Sequence, residues 1–389
     1  MAINLFTDKG VPLERQRFTW KELVGKPISK LDDDAFTRVR VILMNGIETD
    51  ALRVSQVLLR MQREARVPLA QLTRVENHQA TAINWMVSAD HSPLETTIAY
   101  EQVAIEVTAS VAQHEPDAYM AQAYRYALLE DFDHLYRYAA LMDRLEGKDA
   151  NSITQGYTDI VPGRPTVVHH RSPENDLLEC YARDAALATK LHAITLVGGE
   201  YQTHDYYIHY GPWFADPVAR QLYAEIASVE SQHIVHYGSM LNPDESPLEK
   251  LLLQQANEVW NYQACASQET NPRVKALWEQ FLEYELGHVQ CALQLFKDIE
   301  RRDPAEVLGD GKLPRGIEFR SHRDFLRQAL AEVPMRKDGT RFVDEDDEAV
   351  ASLQYRNHMN SQGSPSQGVS SAYQWMPGTE LAARPATIA

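Results

Sequence analysis

Residues 279–293, EQFLEYELGHVQCAL, have the spacing of a helix on which Phe281, Glu285, His288 and Ala292 share one face. A carboxylate and an imidazole between apolar neighbours are costly to bury unless they are paired or bind a cation. Two other stretches pose the same problem. LYAEIASVESQHIVHYGSM puts Ile226, Glu230, His233 and Tyr237 on one face, and YALLEDFDHLYRYAAL does so for Leu128, Asp131, His134 and Tyr138. In each, an acid precedes a histidine by three residues, so both project from the same side of the helix. Such pairs also arise by chance in an acidic chain. Their weight comes from lying mid-helix in apolar stripes. Mixed carboxylate and imidazole donors suit iron or manganese better than zinc or copper.

A two-metal site also needs acids from neighbouring helices at the same height. Glu101 lies thirty residues before Asp131, Glu200 thirty before Glu230, and Glu258 twenty-seven before Glu285. In two antiparallel helices joined by a short turn, residues equidistant from the turn face each other. Glu101 and Asp131 are so placed about the turn near Glu115-Pro116.

The helices that must hold these residues announce their starts. Ser92-Pro93, Ser172-Pro173, Asp216-Pro217, Ser246-Pro247 and Asn271-Pro272 each put a capping side chain before a proline. Glu95 and Glu249 complete capping boxes with Ser92 and Ser246. Apolar periodicity then predicts helices over 93–114, 117–146, 173–204, 217–240, 247–268 and 272–301, with another in TRVENHQATAINWMVSA. Long helices and short loops predict an all-α bundle. Residues 1–74 read as an N-terminal extension, 75–301 as the helical bundle and 302–389 as a flexible polar tail. The irregular segment 147–172 is long enough to cross the bundle, and PTVVHH within it reads as a short extended piece.

On these residues the chain resembles the ferritin-like di-iron carboxylate superfamily, whose four helices carry Glu, Glu-x-x-His, Glu and Glu-x-x-His. The best mapping is Glu101, Asp131-x-x-His134, Glu200 and Glu230-x-x-His233, with 147–172 as the family's crossover. The spacings look like those of the hydroxylase branch, such as the oxygenase subunits of the benzoyl-CoA and phenylacetyl-CoA epoxidases and of toluene monooxygenases. The resemblance covers residues 90–300. It implies a ferritin-like four-helix core elaborated with extra helices, two Fe ions with Mn as the other option, O2 as co-substrate, a small organic substrate and an electron-transferring reductase. Asp131 departs from the usual Glu, and Glu130 is an alternative ligand on the neighbouring face. A second layout uses Glu200, Glu230, His233, Glu258, Glu285 and His288. A third places the helices 93–114, 117–146, 217–240 and 272–301 around the metals. His204 is a further candidate ligand, whereas His236 reads as a neighbour of the site.

Composition bounds the alternatives. A net charge of −17, with no basic run longer than Arg301-Arg302, argues against nucleic acid and anionic membranes as partners. There is no signal-peptide pattern and no apolar run of membrane-spanning length, and Cys180, Cys265 and Cys291 are scattered, so a cytoplasmic enzyme is expected. A homo-oligomer is compatible with all of this. GDGKLPRG lacks the spacing of a phosphate loop, and no GxGxxG is present. The competing expectations are a ferritin-like iron- or peroxide-handling protein without oxygenase activity and a metal-free helical interaction scaffold.

Overall fold

Helix starts in the computed structural model follow the capping signals. The structure describes residues 3–31, 34–87, 89–331, 335–338, 341–344 and 348–375. Eight long helices dominate the described residues: α1 Ala35–Met61, α2 Arg66–Asn84, α3 Pro93–His114, α4 Ala118–Glu146, α5 Leu187–Tyr210, α6 Pro217–Met240, α7 Pro247–Gln268 and α8 Pro272–Leu295. Ser92 and Ser246 form the expected capping boxes with Glu95 and Glu249, and Asp216 and Asn271 cap α6 and α8. Asp34 and Asp117 cap α1 and α4 in the same way. The all-α class therefore stands. Apart from it there is a two-stranded antiparallel hairpin, Met335–Asp338 with Arg341–Asp344.

The helices pair as antiparallel hairpins, α1 with α2, α3 with α4, α5 with α6 and α7 with α8. The hairpins then associate in two sets. In the inner set α3 packs on α5 and α4 on α6, and in the outer set α1 packs on α7 and α2 on α8. The outer set thus flanks the inner one in sequence. The sets meet where α1 lies on α3 and α5, and where α7 lies on α5. Gly46 lets α1 approach α5 closely, since a Cβ there would come within 2.9 Å of the Gly198 carbonyl oxygen.

Three expectations need correction. The helix expected over 173–204 begins at Leu187. Ser172-Pro173 opens only the four-residue turn Pro173–Asp176, and the Ser172 side chain makes no cap bond. Between the two, the chain runs past the end of α6, where Tyr181 N–H donates to the Met240 carbonyl at 2.9 Å. The helix expected to reach 301 leaves α geometry at Leu295 and ends in a π turn, Phe296–Glu300. PTVVHH is not extended but forms a 3₁₀ turn at Thr166–Val168, held by Asp133, which accepts from the Thr166 N–H and hydroxyl at 2.5 and 2.6 Å.

Segments outside the eight helices also pack. Leu5 N–H donates to the Gly311 carbonyl at 2.8 Å, so GDGKLPRG tethers the N-terminal segment. The polar stretch around 364–370 sits on α4 and α6, with Ser366 N–H donating to Glu225 at 2.7 Å. Residues 376–389 of the sequence-defined tail lie outside the described residues. No described helix is long and apolar enough to cross a membrane.

Candidate metal centre

The inner set carries Glu101 on α3, Asp131 and His134 on α4, Glu200 on α5, and Glu230 and His233 on α6. All six are buried. They meet in two groups of three, Glu101 with His134 and Glu230, and Asp131 with Glu200 and His233. Within each group the ligand atoms lie within 4.8 Å of one another. Glu230 joins the groups, since its Oε1 is 2.9 Å from His134 Nδ1 and its Oε2 is 3.3 Å from His233 Nδ1.

The polar atoms behind the cluster decide which ring nitrogen faces it. His169 Nε2 lies 2.5 Å from the Arg164 carbonyl, which can only accept, so that nitrogen carries hydrogen. Burial pushes the His169 imidazole well below its ordinary range, so the ring is neutral and its Nδ1 accepts. His134 Nε2, 3.3 Å away, is therefore the donor, and its Nδ1 faces Glu230. On the other side His233 Nε2 donates to Glu130 Oε2 at 2.9 Å. Its Nδ1 faces Glu230 and lies 3.7 Å from both Asp131 and Glu200. Both histidines thus present Nδ1 to the cluster and anchor Nε2 behind it, an orientation compatible with ligation.

Glu130 stands behind His233. Burial pushes its carboxyl up, but Arg171 and the hydrogen bond from His233 outweigh burial and hold it well below the usual range. Arg171 donates to Glu130 Oε1 at 2.6 Å and Arg164 at 3.3 Å, and Arg171 also pairs with Asp176 at 3.0 Å. Glu101 is held by the Tyr207 hydroxyl, which donates to its Oε1.

Inside the cluster several polar atoms lack partners. Both oxygens of Asp131, Oε2 of Glu101, Oε2 of Glu200 and Nδ1 of His233 are buried without a hydrogen-bond partner. Burial pushes the carboxyls of Glu101 and Glu200 well above their ordinary range and that of Asp131 up to about 7. For Glu230 burial acts the same way, but His134 and His233 outweigh it and keep the carboxyl low. Four acids converging with two imidazoles form a donor set for which two divalent cations, displacing the imidazole protons, would balance the charge.

No family model, curated protein or solved structure matches this chain.

The structure brings together the six residues of the first layout. Glu285 and His288 meet other partners, Glu48, Glu76 and Glu258 of the outer set, so the second and third layouts draw on residues that belong to separate clusters. Glu130 is a partner of His233 and two arginines rather than of the inner cluster. His204 faces Asp205 at 3.3 Å, and His236 stacks on Tyr126. Sequence reasoning missed Arg164, His169, Arg171 and Tyr207. The first three sit in irregular chain whose position only the fold defines. Tyr207 lies in the aromatic stretch 200–213, where the sequence favours packing.

Two cavities bear on access. A void of about 20 Å³ is lined by Glu200 together with Val103, Val107, Thr195, Leu196 and Thr203. A cleft of about 610 Å³ lies between the helix sets, lined by residues of α1, α5, α6 and α7 that include Asp50, Arg53, Val197, Tyr201 and Ile234, and by none of the six ligand candidates.

Proposed function

We propose that this chain is a non-haem di-metal oxidoreductase on a ferritin-like helical core, loaded with two iron ions, or with manganese, and activating O2. The observation that carries this reading is the set of buried, unpartnered oxygens on Glu101, Asp131 and Glu200 beside the inward-facing Nδ1 atoms of His134 and His233. Bound iron would supply the one-electron steps of O2 reduction, which these side chains do not provide.

The residues' own roles follow from their partners. Glu101, Asp131, Glu200 and Glu230 supply the negative charge, and Glu230 spans both groups. His134 and His233 each offer one nitrogen. His169 orients His134, and ionised Glu130, fixed by Arg171, orients His233 and raises its basicity. Tyr207 holds Glu101 in one rotamer and leaves its other oxygen for the cluster. The buried apolar stripes around these groups exclude water. Electrons would come from a partner reductase, and the substrate would be a small organic molecule.

Iron analysis of protein from iron-supplemented cells tests the reading. The Glu230→Ala variant is expected to hold about two fewer irons per chain than the wild type, and only the iron-loaded wild type should take up O2 rapidly. Equal iron in the two proteins would end the proposal.

One observation favours a second reading. The void touching Glu200 has room for about one water-sized molecule. A centre open to so small a species can handle O2 or peroxide without an organic substrate. Peroxide consumption by the iron-loaded protein at full rate with no organic co-substrate would select this reading over the first.

A further inference from the structure

The outer set repeats the inner one. Glu48 on α1, Glu76 on α2, Glu258 on α7 and Glu285 with His288 on α8 stand in the order of Glu101, Asp131, Glu200 and Glu230 with His233. Gln79 follows Glu76 by three residues, where His134 follows Asp131. Tyr262 donates to Glu48 as Tyr207 does to Glu101. All of these outer residues are buried, and Glu48, Glu258 and Glu285 each offer an oxygen within 4.8 Å of the other two.

His288 turns its Nδ1 toward Glu285 of this cluster. The Gln16 amide nitrogen donates to the carbonyls of Val11 at 2.8 Å and Tyr284 at 2.9 Å, so Gln16 Oε1 is left to accept. His288 Nε2, 2.6 Å away, therefore carries hydrogen, and its Nδ1 faces Glu285 at 3.0 Å. Part of the cluster is already satisfied. Gln79 donates to Glu285 Oε1 at 2.7 Å and Glu48 Oε1 at 3.3 Å, and Gln255 donates to Glu258 Oε2 at 2.6 Å and Glu76 Oε1 at 2.9 Å. One oxygen on each of Glu48, Glu76, Glu258 and Glu285 is thus satisfied by an amide N–H, which leaves fewer free carboxylate oxygens than the inner cluster holds. Glu48 Oε2 and Glu258 Oε1 remain buried and unpartnered.

We propose that Glu48, Glu258 and Glu285, with His288 Nδ1, form a second and mononuclear site for one divalent cation of the manganese or iron class. It stands on its own cluster and does not depend on the di-metal reading of the inner set. The cation replaces the missing hydrogen-bond donors and joins α1, α7 and α8 from within. Oxygen donors with one imidazole favour Mn(II) or Fe(II) over softer ions.

Mn(II) loading of the full chain, followed by gel filtration, elemental analysis and electron paramagnetic resonance, tests the site. The wild type is expected to retain about three Mn per chain, and Glu258→Gln about two. Glu230→Gln should keep the isolated six-line Mn(II) signal that Glu258→Gln loses. Should Glu258→Gln not fold, His288→Gln, which leaves the three carboxylates in place, is expected to lower the retained Mn count and weaken the six-line signal. A wild-type count of about one that vanishes in Glu258→Gln would support this site while ending the di-metal reading. A wild-type count that neither Glu258→Gln nor His288→Gln lowers would overturn it.

Discussion

Glu130 shows how one residue's role depends on what stands behind it. In the sequence it is an alternative to its neighbour Asp131, and helical spacing alone does not separate them, because both lie within a turn of His134. The structure separates them by cations, since Arg171 and Arg164 reach Glu130. Removing Arg171 would leave a buried carboxylate short of its closest counter-charge. Arg171→Met is expected to destabilise the metal-free protein by about 3–5 kcal/mol in urea denaturation, the usual cost of breaking a buried pair from one side. On the proposed di-metal reading it should also weaken metal retention, because Glu130 with less counter-charge is a poorer acceptor for the His233 Nε2–H. Unchanged stability and unchanged iron retention would mean that the arginine does not hold the site. Legibility at this scale followed helical periodicity. The six inner residues share faces that spacing reveals, whereas Arg171, His169 and Arg164 approach from irregular chain and carry no periodic signal.

The crossover between α4 and α5 is the element that delivers those groups. It is pressed onto α4 at Gly163, where an added Cβ would stand 2.0 Å from the Leu129 carbonyl oxygen, and the next residue donates its N–H to that same carbonyl at 2.8 Å. Gly163→Ala must therefore lift the crossover. It is expected to cost about 1–3 kcal/mol by overpacking and to loosen Arg164 and His169 together. Gly238→Ala on α6, where an added Cβ meets nothing within 4 Å, is the control. It should be neutral or stabilising by about 0.5 kcal/mol, as alanine favours a helix over glycine. Thermal melts of the two variants check both expectations, and equal melting temperatures would show that the crossover is not clamped there. Helix starts were readable wherever a cap and a proline were followed by an uninterrupted apolar stripe, as at Pro93, Pro217, Pro247 and Pro272. The same signal at Ser172-Pro173 gave one turn, because Arg171, Asp176 and the end of α6 claim the chain that follows. α1 carries no proline start, and its cap Asp34 is one acid in a run of three, which hid a 27-residue helix.

At the scale of the molecule, two helix sets of like design share the surface where α1 and α7 meet α5. The repetition was hidden in the sequence because the inner hairpins interrupt the outer ones, and because Gln79 breaks the acid-x-x-His pattern. Arg38 on α1 helps hold the junction. It donates to the Ile153 carbonyl of the crossover at 2.6 Å and lies 3.3 Å from His91 Nε2, just before α3. Burial, aided by the Arg38 charge, lowers the His91 pKa to about 4. A histidine whose folded pKa lies below its unfolded value of about 6.5 binds more protons when unfolded. Stability from this group is therefore full above pH 6.5 and is lost as pH falls through 4. The fall from about 6.5 to about 4 corresponds to at most about 3.4 kcal/mol, which partial exposure reduces to about 1–3 kcal/mol. His91→Gln keeps a polar partner for Arg38 without a titrating group. Urea denaturation at pH 7 and pH 4.5 should show a smaller acid-induced loss in the variant than in the wild type. Equal losses would place the acid sensitivity of the junction elsewhere than at His91.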